Sequence, residues 1–206
     1  MQQASIPMCY FPSTTLFVDD SHDFLLNFVL HMDESLAYRV FDSPLEALET
    51  IEQNQGEGQL LSQRCLRGYQ EQKHPNHPSP KFLALHSDLY NPRRFSDVSV
   101  VVVDDTLPGL DGLAFCRRLE NSPVRKILLT GKADEKQVVE AFNDGLIHRY
   151  VNKSDPDAAT LITQGIHELQ WQYFQDMSLA IERGLSLEAP TCLKDQSFVE
   201  FFHQFR

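Results

Sequence analysis

Two short runs end in paired carboxylates: Thr14-Thr15-Leu16-Phe17-Val18 runs into Asp19-Asp20, and Ser99-Val100-Val101-Val102-Val103 runs into Asp104-Asp105. A third apolar run, Lys126-Ile127-Leu128-Leu129, ends in the hydroxyl of Thr130, and a last, more polar strand candidate, His148-Arg149-Tyr150-Val151-Asn152, ends in Lys153. Acid at the mouth of an apolar strand is costly unless something binds there. Three carboxylates sharing a pocket repel one another, and a divalent cation relieves that repulsion; hard oxygen ligands that leave room for water suit Mg²⁺. Phosphoryl transfer needs an in-line nucleophile, a metal on the phosphoryl oxygens and donors for the developing charge. An aspartate can be that nucleophile, forming an acyl phosphate. Thr130 offers a hydroxyl and Lys153 a point charge for the remaining oxygens.

The elements must bring these residues together. Four consecutive valines without alternation read as a strand buried on both faces of a parallel sheet. In open α/β sheets, ligands sit beyond the carboxyl ends of the strands. Between the strands the spacing predicts helices: Phe24, Leu25, Phe28, Val29 and Met32 recur helically over 23–32, and Ser43-Pro44-Leu45-Glu46 is an N-cap, a first-turn proline and a capping glutamate. Tyr38 to Phe41 is a short strand, Gly112 to Glu120 a helix, and Asp134 to Asn143 a helix closed by Gly145. The Pro108-Gly109 and Asp111-Gly112 turns carry the chain away from the acidic tip. Strands alternating with helices give the doubly wound α/β class.

Two stretches depart from this rhythm. From about 54 to 95 the chain is rich in Gln, His, Pro, Ser and Asn, with six Lys or Arg against three acids between 55 and 95. A connection of that length reads as an insertion, with a helix expected over Gln59 to Tyr69. Cys65, His74, His77 and His86 have no regular metal-ligand spacing and read as solvated side chains. From about Asp157 a helix is expected to run to Arg183 and stop at Gly184, with Ile162, Ile166, Leu169, Tyr173, Met177 and Ala180 forming a coiled-coil-like seam. At ~1.5 Å per residue it would extend ~40 Å and project, with Trp171 to Ile181 packed on a second chain. Ser197 begins another predicted helix whose Phe198, Phe201, Phe202 and Phe205 share a face in need of a partner, as at the start of a longer protein's next domain.

Composition limits what partners fit. The 206 residues carry 18 Lys and Arg against 29 Asp and Glu, a formal charge of -11. That field disfavours direct binding of nucleic acid or anionic lipid. The four cysteines lie far apart without a C-x-x-C pair, which argues for reducing cytosol, and no apolar run approaches the ~20 residues that span a bilayer.

Asp19-Asp20 after the first strand, Asp104 with Pro108 and Asp111-Gly112 beyond it, Leu129-Thr130-Gly131, and Tyr150 with Lys153 resemble the receiver domain of bacterial two-component response regulators, in matching order. The resemblance covers about 14–175. It implies a flavodoxin-like five-stranded parallel sheet of order 2-1-3-4-5, a receiver domain over 1–175 interrupted by the insertion, and a helical linker or dimerisation segment over 176–206. It further implies that Asp104, rather than Asp105, accepts a phosphoryl group from a sensor histidine kinase or phosphotransfer protein. Mg²⁺ would be held by Asp20, Asp104 and the backbone carbonyl of Thr106, with Asp19 acting through water. Thr130 and Lys153 would hold the phosphoryl group, Tyr150 would be the switch aromatic, and Thr106 and Lys132 would tune phosphoryl lifetime. The implied protein is a cytoplasmic signalling switch and homodimer, active on no substrate beyond its own phosphoryl group. Ser154 stands where the family usually has proline, which raises the question of a cis peptide after Lys153. Two other readings compete: a receiver-like dimerisation module that is never phosphorylated, and a haloacid-dehalogenase-type phosphatase. The latter family needs acid at the first and third positions of the Asp104-Asp105-Thr106 run, and the third here is threonine.

Overall fold

A computed structural model of the chain describes residues 6, 7, 9–30, 32, 36–57, 90, 92–131, 135–185 and 194–204. The expected Gln59 to Tyr69 helix, the Pro-rich stretch, Lys132 and Phe205 lie outside those residues. The chain divides into two compact units, one of 12–57 and 95–173 and one built from 1–11, 58–94 and 174–206.

The first unit is the sheet. Its strands are β1 (Thr14–Val18), β2 (Tyr38–Phe41), β3 (Val98–Asp104), β4 (Arg125–Thr130) and β5 (Arg149–Asn152). All pairings are parallel, in the order β2-β1-β3-β4-β5. The helices between them are α1 (His22–Val29), α2 (Pro44–Glu57), α3 (Gly112–Arg118), α4 (Glu135–Asn143) and the start of α5 (Ala158–Leu185), and a short 3₁₀ turn, Pro92–Ser96, leads into β3. This is the doubly wound arrangement the alternating pattern predicts.

The valine run explains why two helical layers are needed. Side chains alternate along a strand, so Val101 and Val103 face one side with Leu16, Val18 and Leu128, where α2, α3 and α4 cover them through Leu48, Ile51, Phe115 and Val138. Val100 and Val102 face the other side with Phe17, Ile127 and Leu129, covered by Leu25 and Phe28 of α1 and by Ile162, Ile166 and Leu169 of α5. Each fully buried valine or leucine contributes roughly 1.5–3 kcal/mol, so the central strands anchor the sheet far more firmly than its edges. At the amino-terminal end, the buried hydroxyls of Ser13 and Ser99 lie 2.7 Å apart, and the Gln170 side-chain amide donates to Ser13 Oγ and Thr15 Oγ1, each at 3.4 Å. This small network satisfies polar groups that burial would otherwise penalise.

The second unit contains the end of α5 and α6 (Gln196–His203). Two predicted boundaries shift. α5 runs through Gly184 to Leu185, because a single interior glycine costs only ~1 kcal/mol relative to alanine. α6 is capped by Asp195, whose carboxylate accepts from the Phe198 amide at 3.0 Å, and not from Ser197 onward. Phe174 is enclosed by Tyr10 and Phe11, which meet it edge-on at centroid distances of 5.1 and 4.8 Å, while Phe202 meets Tyr10 at 6.5 Å. Within the stretch expected to meet a second chain, Trp171, Tyr173, Met177 and Ile181 are buried within the single chain, while Leu179 is exposed. These four side chains need no second copy to be covered. Among the described residues, Leu161, Leu179, Phe198 and Phe201 are large apolar groups left exposed on these helices.

Candidate functional site

Parallel register carries four strand tips to the same edge. Val18 pairs with Val103, Asp104 with Leu129, and Thr130 with Asn152. The residues just past the tips are tied to the neighbouring strand: the Asp19 amide donates to the Phe41 carbonyl at 3.0 Å, Asp105 to Leu129 at 2.9 Å, and Lys153 to Thr130 at 2.8 Å. Backbone bonds thus fix where each side chain begins.

Asp19, Asp20 and Asp104 meet there, with one carboxylate oxygen from each lying within 4.8 Å of the others. Asp19 and Asp104 are buried and Asp20 is exposed. Lys153 Nζ lies between the two buried acids, 2.6 Å from Asp19 Oδ2 and 2.8 Å from Asp104 Oδ1. Burial pushes the Asp104 carboxyl above its ordinary range; the hydrogen bond and charge of Lys153 pull it back, and the negative charge of Asp19 pushes it further up. Asp19 Oδ1 accepts from the Ser21 amide at 2.9 Å, which orients the carboxylate, whereas buried Asp19 Oδ2 has the ammonium beside it without hydrogen-bond alignment. An all-oxygen set with an unsatisfied buried lone pair fits a hard cation such as Mg²⁺.

The turn after β3 is tightly built. Asp111 caps α3, accepting from the Ala114 amide at 2.6 Å, and Gly112 donates to the Asp105 carbonyl at 3.0 Å. A β-carbon on Gly112 would overlap the carbonyl oxygen of Asp104 and come within 2.8 Å of Asp105 Cα and Leu128 Cδ1. Only glycine lets α3 start this close to the acidic tip.

The other predicted residues fall as follows. Thr130 is buried at the end of β4, beside the Lys153 backbone. Thr106 and Gly131 are exposed, and no side-chain position is described for Lys132. Tyr150 is 46% exposed and meets Phe142 of α4 edge-on at 6.1 Å, so its ring lies on the outer surface. Asp105 lies outside the carboxylate cluster. Among the described residues no peptide is cis, so Lys153 and Ser154 are joined in trans. The Asn152 side chain, accepting from the Ser154 amide at 2.8 Å, shapes that loop instead, and Lys153 still reaches both acids. Two contributors escaped the sequence reading. Ser21 caps α1 through the Phe24 amide at 3.3 Å, and the Phe24 ring faces Lys153 Nζ at 4.6 Å from its centroid. A groove of ≈ 590 Å³ between α3 and α4, lined in part by Arg117, Lys126, Glu140 and Asp144, contains none of the strand-tip acids.

The sheet order and the strand-end residues are those of the response-regulator receiver fold. The chain is similar to the Legionella pneumophila response regulator LqsR, with 56% identity and a TM-score of 0.78 over 97% of this chain and 57% of that one. It thus spans a little over half the length of that relative. It also shares its fold with a CheY-like response regulator receiver domain protein of Methanospirillum hungatei (15% identity, TM-score 0.53, 81% of this chain and 99% of that one). A signal receiver domain of an HD domain-containing protein from Pseudomonas fluorescens is similar in the same way (16% identity, TM-score 0.55, 83% and 96%). No protein-family model matches the chain, and no curated protein matches it. Among the described residues no helix is long and apolar enough to cross a membrane.

Proposed function

We propose that the chain is a phosphorylation-dependent cytoplasmic switch in which Asp104 accepts a phosphoryl group from a histidine kinase or phosphotransfer protein. The observation that carries this reading is Lys153 Nζ held between the buried Asp19 and Asp104 carboxylates, with Asp20 at the rim. An Asp104 oxygen attacks phosphorus as the P–N bond of the phosphohistidine breaks; the electron pair stays on the imidazole, which takes up a proton, and an acyl phosphate results. Asp19, Asp20, Asp104 and the Thr106 carbonyl would hold Mg²⁺, which supplies charge neutralisation for the phosphoryl oxygens. Lys153 exchanges its contact with Asp104 for a phosphoryl oxygen, and the Thr130 hydroxyl donates to another. That movement is passed along β4 and β5 to the Tyr150 and Phe142 surface. Output follows through altered self-association, for which Leu161 and Leu179 of α5 remain exposed, or through a further domain. The role is signalling, with no turnover beyond loss of the protein's own phosphoryl group.

Intact mass after incubation with a small acyl-phosphate donor and Mg²⁺, run beside sedimentation, tests it. One added phosphoryl group that requires Mg²⁺, with a change in sedimentation, is expected. An unmodified mass overturns the reading.

A further inference from the structure

We propose that Phe24 is a positioning residue for Lys153, an aromatic wall that holds the ammonium between the two buried carboxylates. This rests on the phosphoryl-acceptor reading for its consequence but on geometry for its substance. Among the described residues, three groups lie against Lys153 Nζ: Asp19 at 2.6 Å, Asp104 at 2.8 Å and the ring of Phe24 at 4.6 Å from its centroid. A cation over a ring face is attracted by the ring's quadrupole, and the attraction grows when water is thinned out. The Lys153 side chain is only 19% exposed.

The ring is itself fixed from two directions. It stacks on Phe28 one turn further along α1, with an interplanar angle of 13° and centroids 5.9 Å apart, and Phe28 in turn packs on Phe17 of β1 at 5.1 Å. Its backbone is fixed by the cap: the Asp19 carboxylate accepts from the Ser21 amide, and the Ser21 hydroxyl accepts from the Phe24 amide. The contacts therefore close a ring, from Asp19 through Ser21 and Phe24 to Lys153 and back to Asp19. Lysine is a flexible four-carbon stem with a point charge, and nothing in its own chemistry confines it. The aromatic face supplies a restraint without the hydrogen-bond partner that would compete with an incoming phosphoryl oxygen.

The test compares Phe24→Leu and Phe24→Tyr with the wild type. In NMR spectra of the unphosphorylated protein, the Lys153 ε-methylene protons should be shifted upfield by the ring current. That shift should vanish in Phe24→Leu and persist in Phe24→Tyr. Phosphorylation by the small donor should slow about three- to tenfold in Phe24→Leu and recover in Phe24→Tyr. In a Lys153→Ala background, Phe24→Leu should have no further effect, because its action runs through the missing ammonium. An unshifted ε-methylene in the wild type overturns the proposal even if Asp104 is phosphorylated, and so does an equal rate loss with and without Lys153. If the ring-current shift is present and no protein is phosphorylated, the wall stands and the acceptor reading fails.

Discussion

At the scale of single residues, the site is a compromise between burial and charge. Two carboxylates are buried beside one ammonium, so the cluster carries uncompensated negative charge that its fold must tolerate. Asp104→Asn removes part of it while leaving Lys153 paired with Asp19. We expect the variant to lose phosphorylation yet melt about 2–4 °C higher at neutral pH, for a gain of ~1 kcal/mol; a lower melting temperature would show that Asp104 is a net stabiliser. His148 provides a separate pH signal. Burial, then the charges of Arg125 and Lys126, push its imidazole down from 6.5 to about 4. The unfolded chain therefore takes up the proton first, so His148 contributes stability that is complete above pH 6.5 and is lost as pH falls toward about 4. His148→Asn, whose amide oxygen can still accept from the Lys126 amide as Nδ1 does at 3.1 Å, should flatten melting temperature against pH over that window. An unchanged slope would contradict this. At this scale the acids and Thr130 were legible in the sequence because they follow apolar runs, and Lys153 because it follows the last strand candidate in the alternating pattern. Phe24 was not, since an aromatic in the first turns of an amphipathic helix gives the same signal whether it faces a core or a cation.

At the scale of elements, the parallel sheet does the positioning, and its turns decide how closely helices approach the tips. The Gly112 position shows this most directly. Its missing β-carbon leaves room for the Asp104 carbonyl and Leu128, so Gly112→Ala forces the β3–α3 turn apart. A cost of roughly 1–3 kcal/mol from overpacking is expected, together with slower phosphorylation, because the displaced atoms belong to the acceptor's own backbone. Wild-type melting and phosphorylation in that variant would mean the turn is looser than its contacts imply. Strand order and helix placement were readable because valine runs, caps and helical spacing agree with one another. Boundaries were less so. Asp195 displaced Ser197 as a cap since both residue types serve that role equally, and Gly184 failed to stop α5. The Ser154 departure from the family pattern proved local, because Asn152 supplies the turn contact beside Lys153.

At the scale of the whole molecule, the unit containing the end of α5 is held by aromatic contacts between residues far apart in sequence. Tyr10 and Phe11 close on Phe174, and Arg94 lies 5.8 Å from the Phe11 ring. Phe174→Ala should cost about 3–5 kcal/mol and open the segment around Tyr10 to limited proteolysis; resistance equal to the wild type's would refute the role given to these rings. No periodicity marks Tyr10 and Phe11 as partners of a distant helix, which is why their packing on Phe174 was not legible in the sequence. The account as a whole stands on Asp104 as the acceptor. An acyl phosphate is reduced by borohydride to an alcohol, so treatment after phosphorylation converts the accepting aspartate to homoserine, which peptide mass spectrometry locates. Homoserine at position 104 alone is the expected result, and homoserine at 19, 20 or 105, or at no position, would contradict the account.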